Sequence, residues 1–410
     1  MVRERVQVTG FAAVGPEAVW AVVSDFCAPW HPLVASMAAE RDAGGHLVRA
    51  FTVQGEDTIY RERLTYFSAS DRTMAYSHLA GIDGAERYDA RLTVTPVAGG
   101  CLITMAADID AAPPRAARIA EGTRSIFEIG VAALAGAGAR LILNGAPRLA
   151  LTVTPAKPGP LCLFLHGIGG GRRNWDAQLA AVGPRMRAAA LDLRGYGDSG
   201  LGKSQSTVDD YCGDILQVMQ ALGADRLVLV GLSYGAWIAT SFAMRHPEML
   251  AGLVLSGGCT GMSEAGVAER DAFRQSREVP LNAGQTPADF APAVVGVIAG
   301  PLASDQTRAV LLRSMAAIPA ATYRDALTCF TTPPERFDFT KLTMPVLMMT
   351  GEHDRLAPPA EIRSVALRIA ANPHAYVQYE TIPAAGHVCN IEHPTQYNLH
   401  LLTFLQRIAP

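Results

Sequence analysis

The chain has 410 residues, of which 49% are hydrophobic and 18% are charged. This length predicts two or three domains, and the apolar share excludes a wholly disordered chain. A formal net charge of −3 excludes a general nucleic-acid binder, which carries a basic face and a high pI. Along the chain, two differently patterned parts follow each other and meet near residue 138.

Seven cysteines are scattered along the sequence, at positions 27, 101, 162, 212, 259, 329 and 389. An odd number with no close pair argues against a disulfide framework and a zinc site, and favours a reducing compartment. The N-terminal MVRERVQV lacks the apolar run of a signal peptide, and no stretch reaches about 18 apolar residues. We therefore expect a cytoplasmic protein with no membrane span, no metal and no cofactor. The oligomeric state stays open, a homo-oligomer included.

The first part, residues 1–138, consists of short strand patterns separated by turn signals. Helical patterns at 16–24 and 114–134 frame them. One long helix against a curved antiparallel sheet is an α+β arrangement that tends to enclose a cavity. The strands are expected at 6–9, 46–53, 58–66, 73–78, 88–95 and 101–107. The apolar stripe expected on the second helix is Ile119, Ile126, Ile129 and Ala133.

From residue 139 to 410 the pattern changes to an alternation of strands and amphipathic helices. A hairpin is predicted first, with Asn144-Gly145 in its turn. The alternation that follows predicts a mostly parallel sheet covered by helices on both faces. Residues 259–342 interrupt it with helical patterns that suit a cap over the carboxyl end of the sheet. The strands after the hairpin are expected at 161–165, 188–191, 226–230, 252–255, 345–349 and 376–382.

The sharpest motif is Gly-Leu-Ser-Tyr-Gly at 231–235, between a predicted strand and a predicted helix. G-x-S-x-G is common by chance, but at a strand-to-helix turn it holds the serine in a strained backbone at the carboxyl end of the sheet. The flanking glycines remove side chains that would clash in such a turn. Ser233 is therefore the candidate nucleophile.

An activated serine needs a base and a group that orients the base. His387 follows the last predicted strand, and Asp354 follows the strand before it. The chain order Ser233, Asp354, His387 is the one described for α/β-hydrolases. The competing candidates nearby are Glu352, His353 and His393.

A glycine-rich turn at 167–171 directly follows the strand at 161–165. Its exposed backbone amides can stabilise an oxyanion, and we expect the donors to be the N–H groups of Ile168 and Tyr234. His166 is expected to be a structural histidine under the site. No Gly-Lys-Ser/Thr follows these glycines, and no G-x-G-x-x-G opens a helix after the first strand, so we expect no nucleotide site.

These motifs give residues 139–410 a resemblance to the α/β-hydrolase family, and most to its enol-lactonase and carboxylesterase-like branch. The resemblance implies nucleophile Ser233, acid Asp354 and base His387. Tyr234 departs from it, because such enzymes often carry methionine or glutamine there. The matching stretches are 166–167, 192–199, 231–235, 351–354 and 386–398.

Residues 1–138 resemble the START/polyketide-cyclase-like (SRPBCC) superfamily. That likeness implies a helix-grip fold with a hydrophobic ligand cavity, and no single chemistry. From the local pattern alone, Arg61, Glu62 and Arg63 are expected to be a solvated strand face, and His31 a loop or pocket-rim residue. The residues that carry the likeness are Pro16-Glu17-Ala18-Val19-Trp20, Asp25, Trp30-His31-Pro32 and Glu62-Arg63-Leu64.

The sequence thus predicts a serine hydrolase that cleaves carboxylic esters or lactones of small to medium apolar substrates through an acyl-enzyme. Two alternatives stay open. The same triad supports a C–C bond hydrolase that acts on ring-cleavage products. In the other alternative the chain is a ligand-binding or carrier protein, whose N-terminal cavity does the work and whose triad is vestigial.

Overall fold

The computed structural model describes residues 2–408 except 13, 29, 32, 54, 55, 137, 155, 184 and 335. The chain divides into two compact units, Met1–Ala139 and Arg140–Pro410. Pro32 of the Trp-His-Pro motif lies outside the described residues. Over the described ranges, every helix is too short or too polar to cross a membrane.

The first unit is a seven-stranded antiparallel sheet with a long helix packed on it. Its elements are β1 (Val2–Ala12), α1 (Pro16–Val23), β2 (Val34–Arg41), β3 (Leu47–Val53), β4 (Ile59–Ser68), β5 (Thr73–Ala80), β6 (Ala85–Val97), β7 (Gly100–Ala111) and α2 (Pro113–Gly136). The order across the sheet is β1-β7-β6-β5-β4-β3-β2. Alternate residues of β6 and β7 are buried and form the core with α1 and α2. The predicted helix-grip fold is confirmed.

The predictions for β2 and for the buried face of α2 are wrong. No strand was expected where β2 lies, because β2 is an edge strand whose mostly exposed side chains do not alternate between apolar and polar. On α2, Ile126 and Ile129 are exposed. A second set of residues recurs at the same helical spacing and includes Phe127, the aromatic residue of the helix, and this set faces the sheet. The buried set is Ala116, Thr123, Phe127, Val131 and Leu134.

Glu62 is buried and is not part of a solvated strand face. Nε of Arg49 donates to a carboxylate oxygen of Glu62 at 2.7 Å, and both side chains are buried. The Arg49 guanidinium also lies over the rings of Phe26 and Tyr76, 4.4 and 4.5 Å from their centroids. The solvated face expected for Glu62 was wrong because its partner, Arg49, lies on the neighbouring strand β3. The flanking Arg61 and Arg63 are half-exposed, as expected for a solvated strand face.

Removing the carboxylate of this buried pair is expected to weaken the first unit. Glu62→Leu leaves the Arg49 charge unpaired, which usually costs about 3–5 kcal/mol of unfolding free energy. Glu40→Leu is the matched control, because it breaks the half-exposed Glu40–Arg61 pair, a kind worth about 0–1 kcal/mol. Amide hydrogen exchange of β6 and β7 in increasing urea measures both losses. Equal losses in the two variants would contradict this prediction.

The second unit is an eight-stranded mixed sheet with helices on both faces. Its strands are β8 (Ala139–Leu143), β9 (Leu149–Val153), β10 (Leu161–Leu165), β11 (Ala188–Asp192), β12 (Leu227–Leu232), β13 (Leu250–Ser256), β14 (Val346–Gly351) and β15 (Val377–Ile382). Its helices are α3 (Asp176–Val182), α4 (Val208–Leu222), α5 (Tyr234–Arg245), α6 (Val267–Asn282), α7 (Pro287–Ile298), α8 (Asp305–Ala316), α9 (Ala320–Thr331), α10 (Pro359–Ala370), α11 (Cys389–Glu392) and α12 (Pro394–Ile408).

The strand order β15-β14-β13-β12-β10-β11-β9-β8 brings the motif-bearing loops together. Strands β10 to β15 are parallel, and β9 is antiparallel to β11. Leu163 of β10 packs in one core cluster and its neighbour Phe164 in the other, so both faces of the sheet are covered. This explains the uninterrupted apolar runs in the sequence. The carboxyl ends of β10, β12, β13, β14 and β15 share one edge, where ligands bind in such sheets.

Candidate active site

Ser233 lies at the turn between the end of β12 and the start of α5. Its backbone has φ 54° and ψ −114°, a strained conformation for any residue other than glycine. A Cβ on Gly231 would collide with the backbone of Gly235, and one on Gly235 would collide with the backbone of Leu165 on β10. The turn therefore needs both glycines, and it has the geometry of a nucleophile elbow.

Asp354 and His387 form a buried hydrogen-bonded pair. Asp354 follows β14, His387 follows β15, and Nδ1 of the ring lies 2.9 and 3.0 Å from the two carboxylate oxygens. Oδ1 of Asp354 also accepts the N–H groups of Leu356 and Ala357, each at 2.9 Å. Because Nδ1 faces a carboxylate, it carries the ring proton, and Nε2 keeps its lone pair.

The surroundings of Asp354 favour its ionised form. Burial opposes ionisation, but the hydrogen bond and charge of His387 and the amides of Ala357 and Leu356 outweigh it. Together they hold the pKa of Asp354 below its ordinary value. The carboxylate is therefore charged at neutral pH.

Two glycines directly after β13, Gly257 and Gly258, pack against His387 and Ser233. A Cβ on Gly257 would lie 3.2 Å from Nδ1 of His387, and one on Gly258 would lie 3.8 Å from Cα of Ser233. Their φ angles are 55° and 136°, where glycine is favoured. The sequence reasoning missed this segment, although a Gly-Gly pair immediately after a buried strand was the available signal.

The peptide group between Gly167 and Ile168 is fixed through its carbonyl. Gly167 O accepts Nδ1–H of His166 at 2.8 Å and the N–H of Gly170 at 3.0 Å. A Cβ on Gly167 would lie 3.8 Å from Oγ of Ser233, so this peptide lies beside the Ser233 side chain. In a trans peptide the N–H points away from the carbonyl. The two hydrogen bonds therefore also fix the direction of the Ile168 N–H.

The amides of Ile168 and Tyr234 are both available as donors. Neither N–H donates a hydrogen bond to another residue in the part of the chain that the structure describes. Tyr234 opens α5, so its N–H has no acceptor within the helix. Its ring is fully buried and packs against Tyr211, Trp237 and Phe330. The departure from methionine or glutamine at this position therefore affects core packing.

His166 has a defined tautomer. The N–H of Leu193 donates to Nε2 of His166 at 3.1 Å, so the proton is on Nδ1, which donates to Gly167 O. Burial lowers the pKa of His166, which keeps the ring neutral. Tyr196 packs edge-on to this ring and its hydroxyl donates to Ile168 O at 3.1 Å. The histidine under the site thus orients the amide beside the serine.

Helix α8 of the inserted helical segment contacts the glycine-rich turn. A Cβ on Gly169 would lie 3.2 Å from Sδ of Met315. Ser314 donates to Oδ1 of Asn174 at 3.2 Å, and the same oxygen accepts the N–H of Gly171 at 2.7 Å. Asn174 was missed by the sequence reasoning because nothing local marks it. Met315 and Ser314 place the cap over this end of the sheet.

The competing acid and base candidates have other surroundings. Glu352 and His353 have exposed side chains that face each other at 3.7 Å. Glu352 also accepts the N–H of Ala384 at 2.9 Å. His393 directly follows α11 as its C-cap, and its backbone N–H donates to Cys389 O.

Residues 160–394 match the α/β hydrolase fold family. This match covers more than half of the chain, so the protein belongs to the α/β hydrolase family. Residues 3–137 match the family described as polyketide cyclase, dehydrase and lipid transport. The chain therefore joins an SRPBCC-type domain to an α/β hydrolase.

Solved structures with the same fold include an esterase and an enol-lactonase. The thermophilic esterase from Thermogutta terrifontis is 23% identical, with a TM-score of 0.59 over 66% of this chain and 99% of that one. The enol-lactonase from Burkholderia xenovorans is 21% identical, with a TM-score of 0.55 over 65% of this chain and 100% of that one. At these identities the likeness concerns the fold alone.

A curated relative is the biotin biosynthesis bifunctional protein of Teredinibacter turnerae. It is 28% identical over 285 residues, which is 62% of this chain. The match spans about half of that relative's own length, 47%.

Proposed function

We propose that the second unit hydrolyses carboxylic esters or lactones of small to medium apolar substrates. The observation that supports this most is the group of residues at one edge of the sheet. It comprises the strained Ser233, the buried Asp354–His387 pair, and the amides of Ile168 and Tyr234, which donate to no residue in the described part of the chain. A net charge of only −3 suits an uncharged substrate, and Met315 of the cap places an apolar side chain against the glycine-rich turn.

In the proposed reaction, Oγ of Ser233 attacks the carbonyl carbon while Nε2 of His387 takes the hydroxyl proton. The N–H groups of Ile168 and Tyr234 bind the oxyanion that forms. The imidazolium, stabilised by Asp354, gives its proton to the leaving oxygen as the C–O bond breaks. The same histidine then deprotonates water, which attacks the acyl-enzyme. As the bond between the acyl carbon and Oγ of Ser233 breaks, the imidazolium returns its proton to Oγ and the acid is released.

The substrate class is tested by turnover of a graded series of aryl esters and lactones beside a dienoic ketoacid. We expect the best ester or lactone to have the highest kcat/KM. Faster turnover of the ketoacid would favour the C–C bond hydrolase. No turnover of any compound would favour the carrier protein with a vestigial triad.

Replacing His166 is expected to slow the chemical step with little effect on substrate binding. His166→Leu removes the donor to Gly167 O and frees the peptide of Ile168, and we expect kcat to fall about 10- to 100-fold. His166→Asn keeps an N–H at the position of Nδ1, so its kcat is expected to fall less than that of His166→Leu. Steady-state kinetics with a thermal-unfolding control checks this. Equal kcat values in the wild type and His166→Leu would contradict it.

A further inference from the structure

Glu392 of α11 joins the loop of the base to the cap. Its Oε1 accepts the N–H of Gly386 at 3.0 Å, and its Oε2 accepts the N–H of Gly300 at 2.7 Å. Gly386 immediately precedes His387, and Gly300 follows cap helix α7. One carboxylate therefore holds two segments that are far apart in the sequence.

The two glycines lie backbone against backbone. A Cβ on Gly300 would lie 2.6 Å from the nitrogen of Gly386 and 2.7 Å from Ala384 O. A Cβ on Gly386 would in turn collide with the nitrogen of Gly300. A side chain at either position would force the backbone to move, so this close approach needs glycine on both sides.

The residue that carries the base is bonded to the same part of the cap. The N–H of His387 donates to O of Ile298, the last residue of α7, at 2.8 Å. Arg308 of α8 donates to Gly300 O at 3.0 Å, which holds the cap loop from its other side. Asp354 thus fixes the ring of His387, while Glu392 and Ile298 fix the backbone from which the ring extends.

We propose that Glu392 is a positioning residue that couples the seating of the cap to the placement of His387. This inference rests on the proposed function, because His387 is the base in that reaction. When the cap segment is displaced, the N–H of His387 loses its acceptor and the base loop relaxes. The base is then correctly placed only while the cap covers the site.

Glu392→Gln tests the coupling with little change in side-chain volume. An amide offers one acceptor oxygen and turns an NH₂ group toward the second backbone N–H, so one hydrogen bond becomes a donor–donor contact. With p-nitrophenyl butyrate we expect kcat to fall about tenfold, with KM and the thermal midpoint nearly unchanged. Amide exchange is expected to accelerate in both 298–302 and 384–387. Glu392→Asp keeps two acceptor oxygens and is expected to recover part of kcat.

Gly300→Ala tests the same contact from the cap side. Its added Cβ forces the cap loop away from Gly386, so we expect the same loss of kcat and the same exchange pattern. Gly296→Ala, on α7, is the matched control, because a Cβ there meets nothing within 4 Å. It is expected to keep wild-type kinetics.

Wild-type kcat in Glu392→Gln, or faster exchange in only one of the two loops, would overturn the coupling. A purely structural role would lower the thermal midpoint and leave kcat of the folded protein unchanged. If the wild-type protein hydrolyses no ester, the proposed function fails separately. The exchange measurement then decides the coupling alone, because it needs no turnover.

Discussion

Ser233→Ala is expected to abolish ester hydrolysis, with kcat/KM falling at least about 10⁴-fold. The elbow between β12 and α5 carries the Ser233 hydroxyl, and Gly167 lies beside it. Ser204→Ala is the matched control, because Ser204 is exposed and should not affect the rate. Steady-state hydrolysis of an aryl ester measures both variants.

Cys389 offers no substitute nucleophile, although it lies two residues beyond His387. Its side chain is buried, and burial raises the pKa of its thiol. A thiol kept in its neutral form is a poor nucleophile. Residual activity close to that of the wild type in Ser233→Ala would therefore contradict the assignment of Ser233 itself.

Asp354→Asn is expected to lower kcat about 10⁴-fold while the protein stays folded. The amide oxygen can still accept the N–H groups of Leu356 and Ala357, so the loop keeps its hydrogen bonds. The NH₂ group then faces Nδ1 of His387, and the ring proton moves to Nε2. In that tautomer the ring cannot take the proton of the serine.

Kinetics of Asp354→Asn are compared with those of Asp225→Asn, which changes an exposed aspartate on the same unit. Circular dichroism of both variants checks that the fold is kept. We expect kcat to fall about 10⁴-fold, the value for a triad aspartate. A fall in kcat of less than about tenfold in Asp354→Asn would mean that another acid, such as the nearby Glu352, orients the base.

The strands of the second unit and the elbow could be predicted because their signals are local. Five consecutive residues define the turn at Ser233, and continuous apolar runs define buried parallel strands. Asp354 and His387 could be paired because the carboxyl ends of parallel strands share one edge of the sheet. The local pattern and the topology rule together are sufficient for these residues.

The other features depend on contacts between distant segments. Glu62 looks solvated until the register of β3 and β4 places Arg49 opposite it. The buried face of α2 cannot be chosen from spacing, since two sets of residues fit a helix equally well. Likewise, the contact of Gly300 with Gly386 joins the cap to a loop far along the chain. No local pattern encodes such a contact.

We expect Ser233 to be an activated nucleophile in the folded protein. Reaction with a fluorophosphonate probe tests this, followed by trypsin digestion and mass spectrometry of the peptide 227–245. We expect one covalent adduct, on Ser233, that forms in the native wild type and not after denaturation. A folded protein that hydrolyses esters yet carries no adduct on Ser233, or carries it on another residue, would contradict the claim.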